Sequence, residues 1–167
     1  MRFPSRRQGY FLIAAACAGA MGGALYLQHV VGLQPCPLCI FQRVGVIAVG
    51  LLALLAALLN PVRGGARVAD ALIVLAAVAG GSVSARQLWL QSLPADQVPS
   101  CGPGLDYMLS AFPLHDVVVN VFKGSGECAV VDWTFLGMAL PFWVLMFFLA
   151  VVAFVLLQAR RACARRR

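Results

Sequence analysis

Six cysteines, Cys17, Cys36, Cys39, Cys101, Cys128 and Cys163, are the residues of this 167-residue chain best suited to chemistry. Two of them form a CxxC, Pro35-Cys36-Pro37-Leu38-Cys39, at the head of a long apolar run. A helix opening there puts Cys39 in its first turn, where free N–H groups and the helix dipole favour a thiolate. Arg43 follows four residues later on the same helical face. Its guanidinium adds a second positive charge and a donor for a carbonyl oxygen of a bound ligand. An arginine at a membrane boundary is costly enough that function is its default reading, with snorkelling to the headgroups as the competing one.

A CxxC also serves haem attachment and zinc. Ile40 after Cys39 removes the CxxCH haem pattern. Zinc wants four thiolates, and the separation of Cys101 from Cys128 is not that of a second knuckle, so no metal site is expected. Joining Cys101 to Cys128 would close a ring of 28 residues, which stabilises by about 3.5 kcal/mol in the chain-entropy model. Such a pair is a plain staple when taken alone. Beside a CxxC it is also a relay partner, because two dithiols on one face exchange a disulfide through thiolate attack. Cys17, inside an apolar segment, reads as a packing residue, and Cys163, in the basic tail, as an idle reduced thiol.

The elements that must hold these thiols follow from hydropathy. The chain is 62% hydrophobic and 11% charged, with a mean hydropathy of +0.88, far more apolar than one soluble core requires. Four segments have spanning character: residues 9–29, 40–59, 69–90 and 133–157. The first is long for a signal-peptide core and no convincing cleavage site follows it, so it reads as a retained anchor. The third carries Asp70 near one end, Gly80 and Gly81 inside and Arg86 near the other, and its small residues allow a neighbouring helix to approach closely. The expected fold is an all-α membrane protein, a single four-transmembrane-helix bundle. A long periplasmic loop, residues 91–132, would join helices 3 and 4. Within it the run DVVVNVF, residues 116–122, is too short to span and suits either an interfacial segment or a bland loop strand.

Of the thirteen basic residues, ten lie in the termini or in the loop between spans two and three: Arg2, Arg6, Arg7, Arg63, Arg67, Arg160, Arg161, Arg165, Arg166 and Arg167. The positive-inside rule then puts both termini in the cytoplasm and the loop cysteines, with Cys36 and Cys39, on the periplasmic side of a bacterial inner membrane. The net charge of +7 is thus topological. Lipid is the expected contact and nucleic acid is not.

Read this far, the chain resembles the DsbB family, the bacterial disulfide-bond formation proteins B, over almost its whole length. The matching words are Gln28-His29-Val30, PCPLCIFQR at residues 35–43, Cys101, and GECAVVDWTFLG at residues 126–137, followed by Pro141 and Trp143. The resemblance implies a quinone-dependent protein-disulfide oxidoreductase. In it, the reduced periplasmic oxidase DsbA forms a mixed disulfide with Cys101, Cys128 is released, and Cys36 with Cys39 regenerates the loop disulfide. Electrons would leave through Cys39 to ubiquinone or menaquinone, with Arg43 helping to hold the quinone. Arg86, Gln91 and His115 stay outside the carried-over site.

Two alternatives remain. A quinone-linked thiol oxidoreductase resembling the vitamin K epoxide reductase family also joins a helical bundle to a CxxC and loop cysteines, but there the CxxC comes late in the chain. A non-catalytic membrane protein would bind zinc through the four outer cysteines or merely staple its loop.

Overall fold

A computed structural model describes residues 5–62, 64–94, 96–98, 107, 110–113, 115–117, 119, 126–131 and 133–164, with side chains described as far as residue 161. Four long helices dominate it: α1 (Arg6–His29), α2 (Pro37–Leu59), α3 (Gly64–Gln91) and α4 (Leu140–Ala164). All four are long and apolar enough to cross a membrane. Only 17% to 39% of each helix's most apolar stretch is buried, so the rest must meet lipid. The protein is a multi-pass membrane protein.

Local chemistry sets where these helices begin and end. Ser5 caps α1, its hydroxyl accepting from the Gln8 N–H, while Gln8 Oε1 accepts from the Ser5 N–H at 2.8 Å, a complete capping box. Cys36 caps α2 and Pro37 supplies the pre-set first helical position. That helix closes at Asn60, which adopts the left-handed conformation (φ 43°, ψ 55°) before Pro61.

Each helix packs on the next in sequence, α1 on α2, α2 on α3 and α3 on α4, whereas α1 and α4 make few contacts. The buried stripe of α3 runs Ala66, Asp70, Ile73, Ala77, Gly80, Ser84, Gln87, steps of alternately four and three residues that keep one face inward. Its middle is small. At Gly80 an added Cβ would lie 2.4 Å from Cζ of Phe148 in α4, so helix and ring touch with nothing between them. Its two ends are polar. At the first, Arg6 pairs with the buried Asp70, whose other oxygen accepts from Tyr10 Oη at 2.6 Å. These bonds tie α1 to α3 by groups that lipid could not satisfy. The main core lies between (Ile13, Val49, Ala53, Ile73, Val155), and a second cluster of Leu38, Val83, Leu90, Val117 and Cys128 lies at the other end.

The fourth helix departs from the sequence expectation, which ran it from residue 133. Residues 134–139 instead form a two-stranded antiparallel hairpin, β1 (Thr134–Phe135) with β2 (Met138–Ala139), and α4 starts only at Leu140. Leu136 (φ 53°) and Gly137 (φ 77°) both have positive φ, the requirement of a tight two-residue type I′ turn. Trp133 stacks on Phe135, and Trp143 in α4 donates its Nε1–H to the Phe135 carbonyl at 3.1 Å, fastening the hairpin to the helix. α3 also starts earlier than expected, at Gly64. Of the run at 116–122, Asp116 and Val117 are helical and Val117 is buried in the second cluster; residues 118 and 120–122 lie outside the described residues.

Candidate active site

The second cluster surrounds the CxxC. As N-cap of α2, Cys36 turns its sulfur back over the first turn, where Sγ accepts from the Cys39 N–H at 3.4 Å. Capping of this kind is what brings the pair together: the two Sγ atoms are 2.9 Å apart, a small movement from the bond length of about 2.05 Å that a disulfide needs. Cys128, 1% exposed, closes a 3₁₀ turn (Gly126–Cys128) that packs on α2 and α3. It is hydrogen-bonded to Cys36. That bond, the bond to Cys39 and burial, in that order, hold the proton on Cys36 and push its thiol above the ordinary range. Three of the four sulfurs singled out from sequence therefore converge. The fourth, Cys101, lies outside the described residues.

Two glutamines complete the surroundings of the pair. Gln87 of α3, buried, directs its Nε2 at both sulfurs, 3.4 Å from Cys36 Sγ and 3.4 Å from Cys39 Sγ. Gln42, one turn along α2 from Cys39 and also buried, donates to Gln87 Oε1 at 2.6 Å. The sequence reading passed over both. Their signal was present in the form of amides inside apolar spans, where a polar group must find a partner on another helix.

Arg43 lines the same cavity as Cys39, as the i, i+4 spacing required, and its bonds run across to α1: one to Gln28 Oε1 and one to the Ala24 carbonyl at 3.3 Å. Gln28 thereby acquires a role that the sequence reading gave only as part of a matching word. The cavity measures about 140 Å³. Ala20, Met21 and Ala24 of α1 form one wall, Leu140, Pro141 and Val144 of α4 the other, and Val130, Val131 and Trp133 lie at its outer end. It therefore occupies the gap left where α1 and α4 scarcely touch.

A cavity of roughly 150 Å³ holds a benzene-sized ring, so the volume suits one flat six-membered ring. Arg43 presents a guanidinium donor to this largely apolar chamber, which suits a carbonyl-bearing ring. Gln91, also lining it, has a buried Oε1, an acceptor, with no hydrogen-bond partner among the described residues. Arg86 sits over the Trp89 ring at 4.1 Å from its centroid, and His115 is exposed beside Asp116; neither lines the cavity.

Comparison with known proteins gives the family. The model of the family described as disulfide bond formation protein DsbB matches residues 6–158. Disulfide bond formation protein B of Chromobacterium violaceum is 60% identical over 152 residues, covering 91% of this chain and 92% of that protein. The protein of the same name from Hahella chejuensis is 51% identical, covering 89% and 90%, and disulfide bond formation protein B 1 of Pseudomonas aeruginosa is 45% identical, covering 96% and 99%. With matches of this length and identity, the chain belongs to the DsbB family of disulfide bond formation proteins.

Proposed function

We propose that this protein oxidises the periplasmic thiol oxidase DsbA by disulfide exchange and hands the two electrons to a membrane quinone, ubiquinone or menaquinone. The observation that carries the reading is the thiol pair at the head of α2, with Cys128 bonded to Cys36 and a largely apolar cavity, lined by Cys36 and Cys39 alike, opening beside the pair. In the sequence of steps, a DsbA thiolate attacks Cys101 of a Cys101–Cys128 disulfide and Cys128 leaves as a thiolate. The second DsbA thiol then resolves the mixed disulfide and frees Cys101. Next, Cys128 attacks Cys36 of an oxidised Cys36–Cys39 pair, and the electron pair of the broken bond departs on Cys39. Cys101 completes the exchange by displacing Cys36 from Cys128, which restores the loop disulfide and leaves the inner pair as a dithiol. A bound quinone supplies a two-electron, two-proton acceptor, so the inner pair returns to its disulfide.

The protein's own groups divide the labour. In the reduced pair Cys36 keeps its proton, Cys39 lines the cavity, Arg43 holds a carbonyl oxygen and favours negative charge on it, and the apolar walls exclude water. The Arg distribution supports a placement with both termini in the cytoplasm and the four working sulfurs at the periplasmic face of the inner membrane. The test incubates the protein, its Cys101–Cys128 disulfide formed, with reduced DsbA whose second thiol has been changed to serine. A covalent complex through Cys101 should accumulate on non-reducing electrophoresis, since the thiol that would resolve it is gone, and Cys101→Ser should abolish it. Absence of the complex refutes the relay.

A further inference from the structure

We propose that Gln87 is a further catalytic residue, one that donates its amide N–H groups to whichever sulfur of the Cys36–Cys39 pair carries negative charge. The inference rests on the thiol-relay reading and adds to it a residue that neither the CxxC nor the arginine beside it would reveal.

The geometry is specific. An amide is nearly symmetric in shape, so which end faces the sulfurs is decided by its partners. The Gln42 Nε2, 2.6 Å away, donates to Gln87 Oε1. The Gln87 nitrogen faces the two sulfurs at equal distances of 3.4 Å, nearer than the oxygen, which at 3.7 Å accepts from the Cys39 thiol. Gln87 is 3% exposed and Gln42 4%, so water does not compete for either bond. Gln87 also arrives from α3, whereas both sulfurs belong to the start of α2. The contact is therefore a positioned tertiary one, held by the inward stripe of α3 that includes Gly80 and Ser84.

The chemistry follows from what an amide N–H can bind. A thiolate is a strong acceptor and a disulfide sulfur a poor one, so the donor favours the reduced pair and most of all the moment when one sulfur is charged. When Cys128 bonds to Cys36 Sγ, the Cys36–Cys39 bond breaks and its electron pair leaves on Cys39 Sγ. One N–H of Gln87 already points there. When the pair later gives up two electrons and two protons to the quinone and closes, the charge is removed and the donor loses its acceptor. Two hydrogens on one nitrogen let the same residue serve either sulfur without moving, and an amide does so without taking or losing a proton itself.

The test uses the full chain, reduced in detergent, with the alkylation of each cysteine followed by peptide mass spectrometry at fixed neutral pH and the Cys36–Cys39 couple equilibrated against dithiothreitol redox buffers. Gln87→Met, close in size and without a donor, should slow Cys39 alkylation by about tenfold and shift the couple about tenfold toward the disulfide, which is about 30 mV more reducing. Gln42→Met leaves the N–H groups but frees the amide to turn, and should move both readouts the same way by a smaller factor. Unchanged rates and equilibrium in a Gln87→Met protein of normal helix content overturn the proposal. If that variant does not fold, an unchanged Gln42→Met protein overturns it instead. Neither readout involves quinone or DsbA, so a wild-type protein that failed to form quinol would refute the relay and leave this result standing.

Discussion

Gly80→Ala should destabilise the bundle although alanine is the better helix former. At Gly80 an ideal Cβ would sit 2.4 Å from Phe148 Cζ and 2.8 and 2.9 Å from its two Cε atoms, against the roughly 3.5–4.0 Å of an ordinary carbon contact. The ring tip is crowded by α2 as well. Phe148 is 1% exposed, and Gly45 of α2 abuts the same tip, where an added Cβ would lie 3.2 Å from the same Cζ and 3.1 Å from Gly80 Cα. Overpacking of this kind costs about 1–3 kcal/mol, and Gly to Ala in a helix returns up to about 1 kcal/mol. With the full gain subtracted, the net loss should be about 0–2 kcal/mol, toward the upper end for a contact this short. Gly19→Ala in α1 is the internal control, because nothing lies within 4 Å of its added Cβ and only the propensity gain remains. Unfolding in mixed micelles, followed by helix circular dichroism, measures both. Adding Phe148→Leu should recover part of the Gly80→Ala loss, since the two positions share one contact. If Gly80→Ala is as stable as Gly19→Ala, the close approach of α3 to α4 is refuted, and with it the account of how α3 is set at the depth that brings Gln87 to the sulfurs.

Two predictions concern the site. Arg43→Ala removes a cavity-lining donor and its ties to Gln28 and Ala24. It should raise the KM for quinone at least about tenfold, the value of a charge-assisted hydrogen bond, with little change in the rate of disulfide exchange with DsbA. Equal loss of both would mean that the residue acts on folding alone. Cys36, whose thiol is raised above the ordinary range, should be alkylated more slowly than an exposed cysteine throughout pH 7–9, and Cys128→Ser should speed it by removing the first cause of the shift. The sign for stability follows: a raised thiol favours the folded reduced state below the ordinary thiol pKa of about 8.5, and that contribution declines as pH climbs above it.

How far these features could be read from sequence depends on where each interaction lies along the chain. Spanning helices announce themselves through unbroken apolar length, and the CxxC through its place at a helix start; both are local. The hairpin at 134–139 was misread because WTFLGMAL is as apolar as the helix that follows, and hydropathy does not separate a tight turn from a helical one. The clues were Leu136-Gly137 and Pro141 at the second residue of α4. Gln42 and Gln87 meet across 45 residues, and only the rotation of α3 against α2 decides that their amides face one another. Asp70 was noticed at a span end, but its two partners, Arg6 and Tyr10, belong to another helix and became evident only with packing.

The central claim is that the Cys36–Cys39 pair itself reduces the lipid-soluble acceptor. The direct measurement is a single anaerobic turnover. Protein carrying Cys101→Ser and Cys128→Ser is reduced, freed of reductant and mixed with ubiquinone or menaquinone, while quinol absorbance and the thiol state of the pair are followed together. One quinol per protein, formed as Cys36 and Cys39 close to a disulfide and abolished by Cys39→Ser, is the expected result. A pair that stays reduced beside unreacted quinone would contradict the account.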